Sequence, residues 1–241
     1  MKWIIVTGDS RGVGREIAYQ ILNETDFGVI GISRTSEESA DELLVKYPDR
    51  FRALSYDLAN VEGVKQLYRD KIRKIGPIYG LVNNSAMAYD DIISNLNIDE
   101  LEMMFQVNVF SAMHLSKYAI RDMILHKTQG SIVHISSISA HTGYKGLSMY
   151  AATKGAMEAF SKNTAREWGS KGIRSNCVVP GFMETSISST LTGEQKNRIY
   201  QRTSLKKETD IESVASTVLF LLSDKAKSIT GTVVHVDNGT I

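Results

Sequence analysis

The sequence predicts an α/β fold: one doubly wound parallel sheet of about seven strands with helices on both faces. Three observations carry that prediction. Short apolar runs alternate with helix-length amphipathic stretches along nearly the whole chain. The runs are almost continuously hydrophobic, as in Ile4-Ile5-Val6 and Ile132-Val133-His134-Ile135, which suits strands buried on both faces. No low-complexity or charged linker interrupts the 241 residues, so they are expected to form a single domain, 1–241.

In chain order, a strand over 2–6 runs into a glycine-rich turn and a helix over 12–24. The β-branched stretch 28–33 is the second strand, followed by a helix over 37–47 and a strand over 51–56. Apolar residues at helical spacing then predict a helix over 60–74, with a fourth strand over 79–83. The long amphipathic stretch 97–127 precedes a strand over 130–136, and a helix over 149–169 precedes another over 173–179. A helix over 210–222 and a strand over 233–237 complete the pattern. The exception is 182–207, which follows Pro180-Gly181, is rich in Ser and Thr, and carries a short amphipathic piece at 195–201. An insertion at one end of a sheet often serves as a lid over a site.

The bulk numbers exclude several function classes. Apolar residues make up 42% and charged residues 23%, and the net charge is +1, so no global field points to nucleic acid or to an anionic membrane. The basic positions in 196–202 and at Lys206-Lys207 have no interleaved aromatic platform and read as a solvated face. No apolar run approaches the roughly 20 residues that span a bilayer. Motif residues begin by position 7, leaving no room for a signal peptide, and the lone Cys177 fits a reducing compartment. A cytoplasmic protein is expected. Cys177 lies in a strand-like run and reads as a small core residue.

The turn is Thr7-Gly8-Asp9-Ser10-Arg11-Gly12-Val13-Gly14, with glycines spaced Gly8-x-x-x-Gly12-x-Gly14. Strand, tight glycine turn and helix make a phosphate cradle, because first-turn amides and the helix dipole favour an anion. By itself the turn is equally compatible with a purely structural role. A P-loop is excluded, since no Gly-Lys-Ser/Thr follows at the required spacing. At the end of the second strand the sequence reads Gly31-Ile32-Ser33-Arg34-Thr35-Ser36, without the carboxylate that would bond an adenosine ribose. Arg34 and Arg11 are instead placed to pair with a 2′-phosphate, so NADP(H) is the expected cofactor, with NAD(H) the alternative.

Tyr150 and Lys154 stand four residues apart, on one face of a helix. A neighbouring ammonium is expected to lower the phenol pKa from its usual value near 10. Ser136-Ser137-Ile138-Ser139 closes a strand, where a hydroxyl can hold a carbonyl oxygen. Each piece is a weak signal. Their order is not: Gly8-x-x-x-Gly12-x-Gly14, Asp57-Leu58, Asn83-Asn84, Asn108, Ser137, Tyr150-x-x-x-Lys154 and Pro180-Gly181-x-x-x-Thr185 follow one another along the chain. Over essentially its whole length the sequence resembles the short-chain dehydrogenase/reductase family.

The resemblance implies a Rossmann-type fold and metal-free catalysis. It makes Tyr150 the acid/base, Lys154 the group that lowers its pKa and bonds the nicotinamide ribose, Ser137 the carbonyl-orienting hydroxyl and Asn108 the anchor of a proton-relaying water. The cofactor set becomes Gly8, Ser10, Gly12, Val13 and Gly14 at the pyrophosphate and Arg34 with Arg11 at the 2′-phosphate. Asp57 and Leu58 would meet the adenine and Asn84 the adenosine-side ribose region. Pro180, Gly181, Met183 and Thr185, with Tyr150 and Lys154, complete the nicotinamide end. The five histidines show no ligand spacing and read as core or surface residues. The family's usual Asn-Asn-Ala-Gly is Asn83-Asn84-Ser85-Ala86 here, so the local loop geometry around Ala86 becomes a question.

Within the family the sequence is most similar to 3-oxoacyl-(acyl-carrier-protein) reductases, through the glycine turn, Val178-Val179-Pro180-Gly181 with the following lid, and Ser228-Ile229-Thr230-Gly231 leading to Val236-Asp237-Asn238-Gly239. That likeness implies reduction of a β-ketoacyl thioester. The competing expectations are another small ketone, sugar or alcohol, or a dinucleotide-binding regulator without chemistry. Carrier-protein docking would use basic residues at the mouth of the site. Lys171 matches one such position, while Thr128 stands at the other, beside Lys127 and His126. A homotetramer or homodimer is expected, with Met103, Met104, Phe105, Met157 and Phe160 assigned to core or interface.

Overall fold

The computed structural model of the chain describes residues 1–35, 41–184 and 192–240. It contains a seven-stranded sheet in the order β3-β2-β1-β4-β5-β6-β7, every pairing parallel. The strands are β1 (Trp3–Thr7), β2 (Gly28–Ser33), β3 (Phe51–Ser55), β4 (Ile78–Asn83), β5 (Ser131–Ile135), β6 (Arg174–Pro180) and β7 (Val233–Val236). The helices are α1 (Gly12–Glu24), α2 (Asp41–Lys46), α3 (Val64–Asp70), α4 (Ile98–Phe105), α5 (Ser111–Leu125), α6 (Ser148–Trp168), α7 (Gly193–Tyr200) and α8 (Ile211–Leu222). The expected Rossmann-type architecture is therefore present.

Side chains alternate across the sheet as a strand requires. Ile4, Val6, Val133 and Val178 pack with Ile17, Ile21, Val214, Val218 and Leu222 from α1 and α8 on one face. Ile5, Ile30, Ile32, Leu81 and Ile132 pack with Val64, Leu67, Leu115 and Met123 from α3 and α5 on the other. This two-sided burial explains why the central strands are mostly apolar, and why the polar residues they do carry, such as Asn83 and His134, are hydrogen-bonded to each other inside the sheet.

Two differences from the expected elements matter. The single helix foreseen over 97–127 is α4 and α5 joined by a π-helical turn, Gln106–Phe110, which carries Asn108. The helix foreseen over 60–74 ends at Asp70, and a 3₁₀ turn (Ile72–Lys74) follows. Of the helix foreseen over 37–47, positions 37–40 lie outside the described residues. The amphipathic piece at 195–201 is α7, closed at its N-terminus by a reciprocal Thr192–Gln195 capping box. Among the described residues no helix is long and apolar enough to cross a membrane.

Burial also separates core from surface among the apolar residues of α4 and α6. Met104 and Met157 are fully inside, whereas Met103 is 45% exposed and Phe110, in the π turn, 50% exposed. Phe105 and Phe160 are half-buried beside them.

Candidate functional site

Strand order reverses between β1 and β4, and ligands of open α/β sheets bind beyond the carboxyl ends of strands at such a switch point. A cleft of about 1540 Å³ opens there. That exceeds the roughly 300–1,000 Å³ of a single drug-sized pocket. Its lining brings together Gly8, Ser10, Arg11, Gly12, Val13, Gly14, Arg34, Asp57, Leu58, Asn84, Ser137, Tyr150, Lys154, Pro180, Gly181 and Met183, all foreseen from the sequence. Thr185 lies outside the described residues, as does part of the lid foreseen over 182–207, which is described at 182–184 and 192–207.

The glycine turn is built for close approach. Gly8 and Gly12 have φ of 72° and 57°, the left-handed region that favours glycine. A Cβ on Gly14 would stand 2.1 Å from the Gly8 carbonyl oxygen and 2.5 Å from Asn84 Nδ2, so helix and turn meet with no room for a methyl. On Gly12 a Cβ would meet nothing within 4 Å, because that position faces the open cleft. The first turn of α1 has no acidic residue and no side-chain cap, unlike α4, which Asn97 caps, and α8, which Asp210 caps. Its amides are thus left for an anion. Thr7 and Asn84 tie the turn to β4: Asn84 Nδ2 donates to the Thr7 carbonyl at 2.9 Å, and the Asn84 and Ser85 amides donate to Thr7 Oγ1 at 2.9 and 3.0 Å.

At the end of β2 the buried Ser33 hydroxyl has no partner among the described residues, and Arg34 beside it is exposed to the cleft, as is Arg11. Neither arginine makes an ion pair among the described residues. Two cations, open helix amides and an unsatisfied hydroxyl along one groove fit a dinucleotide carrying an additional phosphate.

At the other end α6 carries Tyr150 and Lys154 on one face, as foreseen. Lys154 is 4% exposed, and its ammonium donates to the Ile135 carbonyl at the end of β5, at 2.8 Å. Burial lowers its pKa to about 8. The Tyr150 ring lies 5.4 Å from this ammonium. The expected lowering of the phenol is not what the chain alone produces. Burial raises Tyr150 to about 12, the Asp90 carboxylate adds to the rise, and a hydrogen bond from Ser137 opposes it. The ammonium is directed at Ile135 rather than at the phenol oxygen, so desolvation dominates.

Asn108 sits on the π turn and braces the loop after β4. Its Oδ1 accepts from the Met87 amide at 2.9 Å, while Nδ2 donates to the Met87 carbonyl at 2.9 Å and to Thr153 Oγ1 at 3.1 Å. Both amide protons are thereby spent on protein, and this side chain fixes the loop between Ala86 and Met87 against α6. Ala86 itself has no positive φ, so the alanine at this position brings no backbone strain.

The basic residues expected at the mouth do not border this chain's own cleft. Lys171 and Lys127 are exposed, but they lie just before the starts of β6 and β5, and the cleft opens at the carboxyl ends of those strands. The seven-residue β6 separates them from it by roughly 20 Å at about 3.3 Å per residue. Thr128 is buried. In a single chain this basic pair is on the edge of the sheet opposite the cleft.

The comparisons with known proteins agree with this geometry. A family model described as enoyl-(acyl carrier protein) reductase matches residues 8–240. The chain belongs to the short-chain dehydrogenase/reductase family. It is 35% identical over 238 residues to a 3-oxoacyl-(acyl-carrier-protein) reductase of Haemophilus influenzae, covering 99% of this chain and 97% of that one. The corresponding enzyme of Staphylococcus aureus is 32% identical over 241 residues, with 99% and 97% covered. Among solved structures, one from Beutenbergia cavernae, described as an NAD(P)-dependent gluconate 5-dehydrogenase with bound NADP, superimposes with a TM-score of 0.93 at 27% identity, covering 99% and 96%. A metagenomic blue fluorescent protein in complex with NADPH gives 0.89 at 27% identity, covering 99% and 97%. This short-chain dehydrogenase/reductase is thus an oxidoreductase by family, with substrates of more than one class among its relatives.

The sequence reading had no means of finding several residues of the site. Thr153, the partner of Asn108, and Asp90, which faces Tyr150, carry no motif. Neither does the Ile135 carbonyl that orients Lys154.

Proposed function

We propose that the chain is an NADP(H)-dependent reductase that converts a 3-oxoacyl thioester to the 3-hydroxyacyl form, acting as one unit over 1–241. The observation that carries this reading is one cleft lined both by an open glycine turn flanked by Arg11 and Arg34 and by Ser137, Tyr150 and Lys154, with the buried Asn108 bracing α6 behind them through Thr153. NADP(H), when bound, supplies or accepts the hydride. Gly8, Ser10, Gly12, Val13 and Gly14 would hold its pyrophosphate, Arg34 and Arg11 its 2′-phosphate, and Asp57, Leu58, Asn84, Pro180, Gly181, Met183 and Thr185 the remainder.

The chain's own residues manage the proton. With its pKa raised to about 12, Tyr150 keeps the phenolic proton at neutral pH and can donate it to the carbonyl oxygen while hydride adds to the carbonyl carbon. That is the form a reduction requires. Ser137 orients the same oxygen, and the Lys154 ammonium, most of it charged at pH 7, stabilises the phenolate left behind. Asn108 holds the Met87 loop that borders the substrate.

An acyl chain is favoured over a small polyhydroxy acid by the cleft wall, which includes Met87, Met103, Leu147, Phe182 and Ile199, and by the Asp90 carboxylate near Tyr150, which opposes an anionic substrate. The exposed Met103 and Phe110 beside half-buried Phe105 and Phe160 support self-association through α4 and α6. The test is NADPH and NADH oxidation against a carbonyl panel containing a β-ketoacyl thioester and gluconate-type sugar acids, with Tyr150→Phe as control. The thioester is expected to be the preferred substrate, and the variant to lose about 100-fold or more in turnover while still binding NADPH. Absence of turnover with every carbonyl would favour a non-catalytic dinucleotide-binding protein.

A further inference from the structure

Ser137, the hydroxyl that meets the substrate oxygen in the reading above, sits at the head of a short turn, and the structure supplies that turn with a second support. Ser137 is followed by a 3₁₀ turn, Ile138–Ala140. The Ala140 amide donates to the Ser137 carbonyl at 3.0 Å, the His141 and Thr142 amides both donate to the Ile138 carbonyl at 2.9 Å, and the Ser139 amide donates to Ser137 Oγ at 3.2 Å. These bonds shape the turn internally. None of them fixes its position relative to α6, where Tyr150 and Lys154 are.

One buried carboxylate does. Glu158, one helical turn beyond Lys154 on α6, is 7% exposed, and the same oxygen, Oε1, accepts from two side chains. The Ser136 hydroxyl donates to it from the residue immediately before Ser137. His141 Nε2 donates to it at 2.9 Å from the residue immediately after the turn. The outer side of His141 is also held, since its ring meets the His235 ring edge-on at 4.6 Å, and His235 Nδ1 lies 3.8 Å from the buried Asp237 carboxylate. A carboxylate is expensive to bury unless its oxygens are bonded, so its retention inside a helix face next to the cleft calls for a reason beyond packing.

We propose that Glu158 is a positioning residue: one carboxylate oxygen clamps both ends of the turn carrying Ser137 to the helix carrying Tyr150 and Lys154. The clamp sets the separation of the two hydroxyls that must meet one substrate oxygen. It rests on the reductase reading for its catalytic consequence, but its structural consequence stands without it. Glu158 does not line the cleft.

The experiment compares Glu158→Gln, which keeps the accepting oxygen, with Glu158→Leu, which removes it. Amide hydrogen exchange and steady-state kinetics with NADPH and a β-ketoacyl thioester are measured on wild type and both variants. In Glu158→Leu the amides of Ala140, His141 and Thr142 should exchange about tenfold faster, and kcat should fall about 10- to 100-fold, with the NADPH dissociation constant within about twofold. Glu158→Gln should restore both properties to within about threefold of wild type, a rescue that a generally weakened core would not give. If Glu158→Leu does not fold, His141→Leu, which frees only the outer end of the turn, is read in the same way.

Unchanged exchange protection in the turn overturns the clamp, as does an equal loss of kcat in the Gln and Leu variants. A wild-type protein that reduces no carbonyl removes the reductase reading alone, and the exchange data then decide the clamp by themselves.

Discussion

The Lys154 ammonium donates to the carbonyl of Ile135 at 2.8 Å, so the base of the proposed site is locked to the end of β5 rather than to its helix neighbour Tyr150. The two groups shift in opposite directions because burial penalises whichever form is charged: lysine falls to about 8 and tyrosine rises to about 12. The sign of the pH dependence follows. The protonated Lys154 is present below about 8 and lost as pH rises through that value, whereas Tyr150 stays protonated until far higher. For carbonyl reduction, kcat/KM is expected to be level between about pH 6 and 7.5 and to decline above about 8. Stopped-assay rates across that range check this, and a profile level to about pH 10 would contradict it.

The proposed preference for NADP(H) is tested at Arg34. It is exposed to the cleft beside the unsatisfied Ser33 hydroxyl, with no carboxylate at the strand end. Charge-assisted bonds to a phosphate contribute about 1.5–3 kcal/mol each, so Arg34→Asp should weaken NADPH by about 10- to 100-fold and leave NADH within about threefold. Fluorescence titration with both nucleotides measures it. Equal weakening of the two would remove the 2′-phosphate assignment.

Gly14→Ala forces a methyl to within 2.1 Å of the Gly8 carbonyl oxygen. The turn must open, so NADP(H) binding should be lost and stability should fall by about 1–3 kcal/mol. Gly143→Ala, whose added methyl meets nothing within 4 Å, is the matched control and should change neither. Calorimetric titration and denaturant unfolding of the pair separate a local steric effect from general intolerance.

His134 lies wholly inside the sheet, where Asn83 Nδ2 donates to its Nδ1 at 3.1 Å. Burial, with a smaller push from the Lys154 ammonium, lowers its pKa from 6.5 to about 3. Between those values the unfolded chain binds a proton that the folded chain does not. Folding stability should therefore decline as pH falls below about 6.5, with this residue contributing up to about 1.4 kcal/mol per pH unit. Unfolding free energies at about pH 7 and 5 should differ less in His134→Gln than in wild type. An unchanged difference would locate the acid sensitivity elsewhere.

Much of this protein is readable along the chain because it depends on local periodicity and ordered motifs. Uninterrupted apolar runs report strands buried on both faces, and glycines between a strand and a helix report where the backbone is approached closely. Tyr150 and Lys154 are paired by helical spacing alone, and the missing acid after β2 is visible as a missing letter. What tertiary structure decided are relationships between residues distant in sequence. Lys171 matches a docking pattern by position and Lys127 stands beside the other position, Thr128, yet parallel strand direction puts both lysines at the edge away from the cleft. A lysine four residues from a tyrosine predicts a lowered phenol, but burial of Tyr150, with the Asp90 carboxylate adding to it, reverses the sign. Glu158 looks, in sequence, like one more polar residue on a helix. Only packing brings Ser136 and His141 onto its single oxygen, because a desolvated carboxylate is tolerated where its hydrogen bonds are met, and those partners come from another part of the chain.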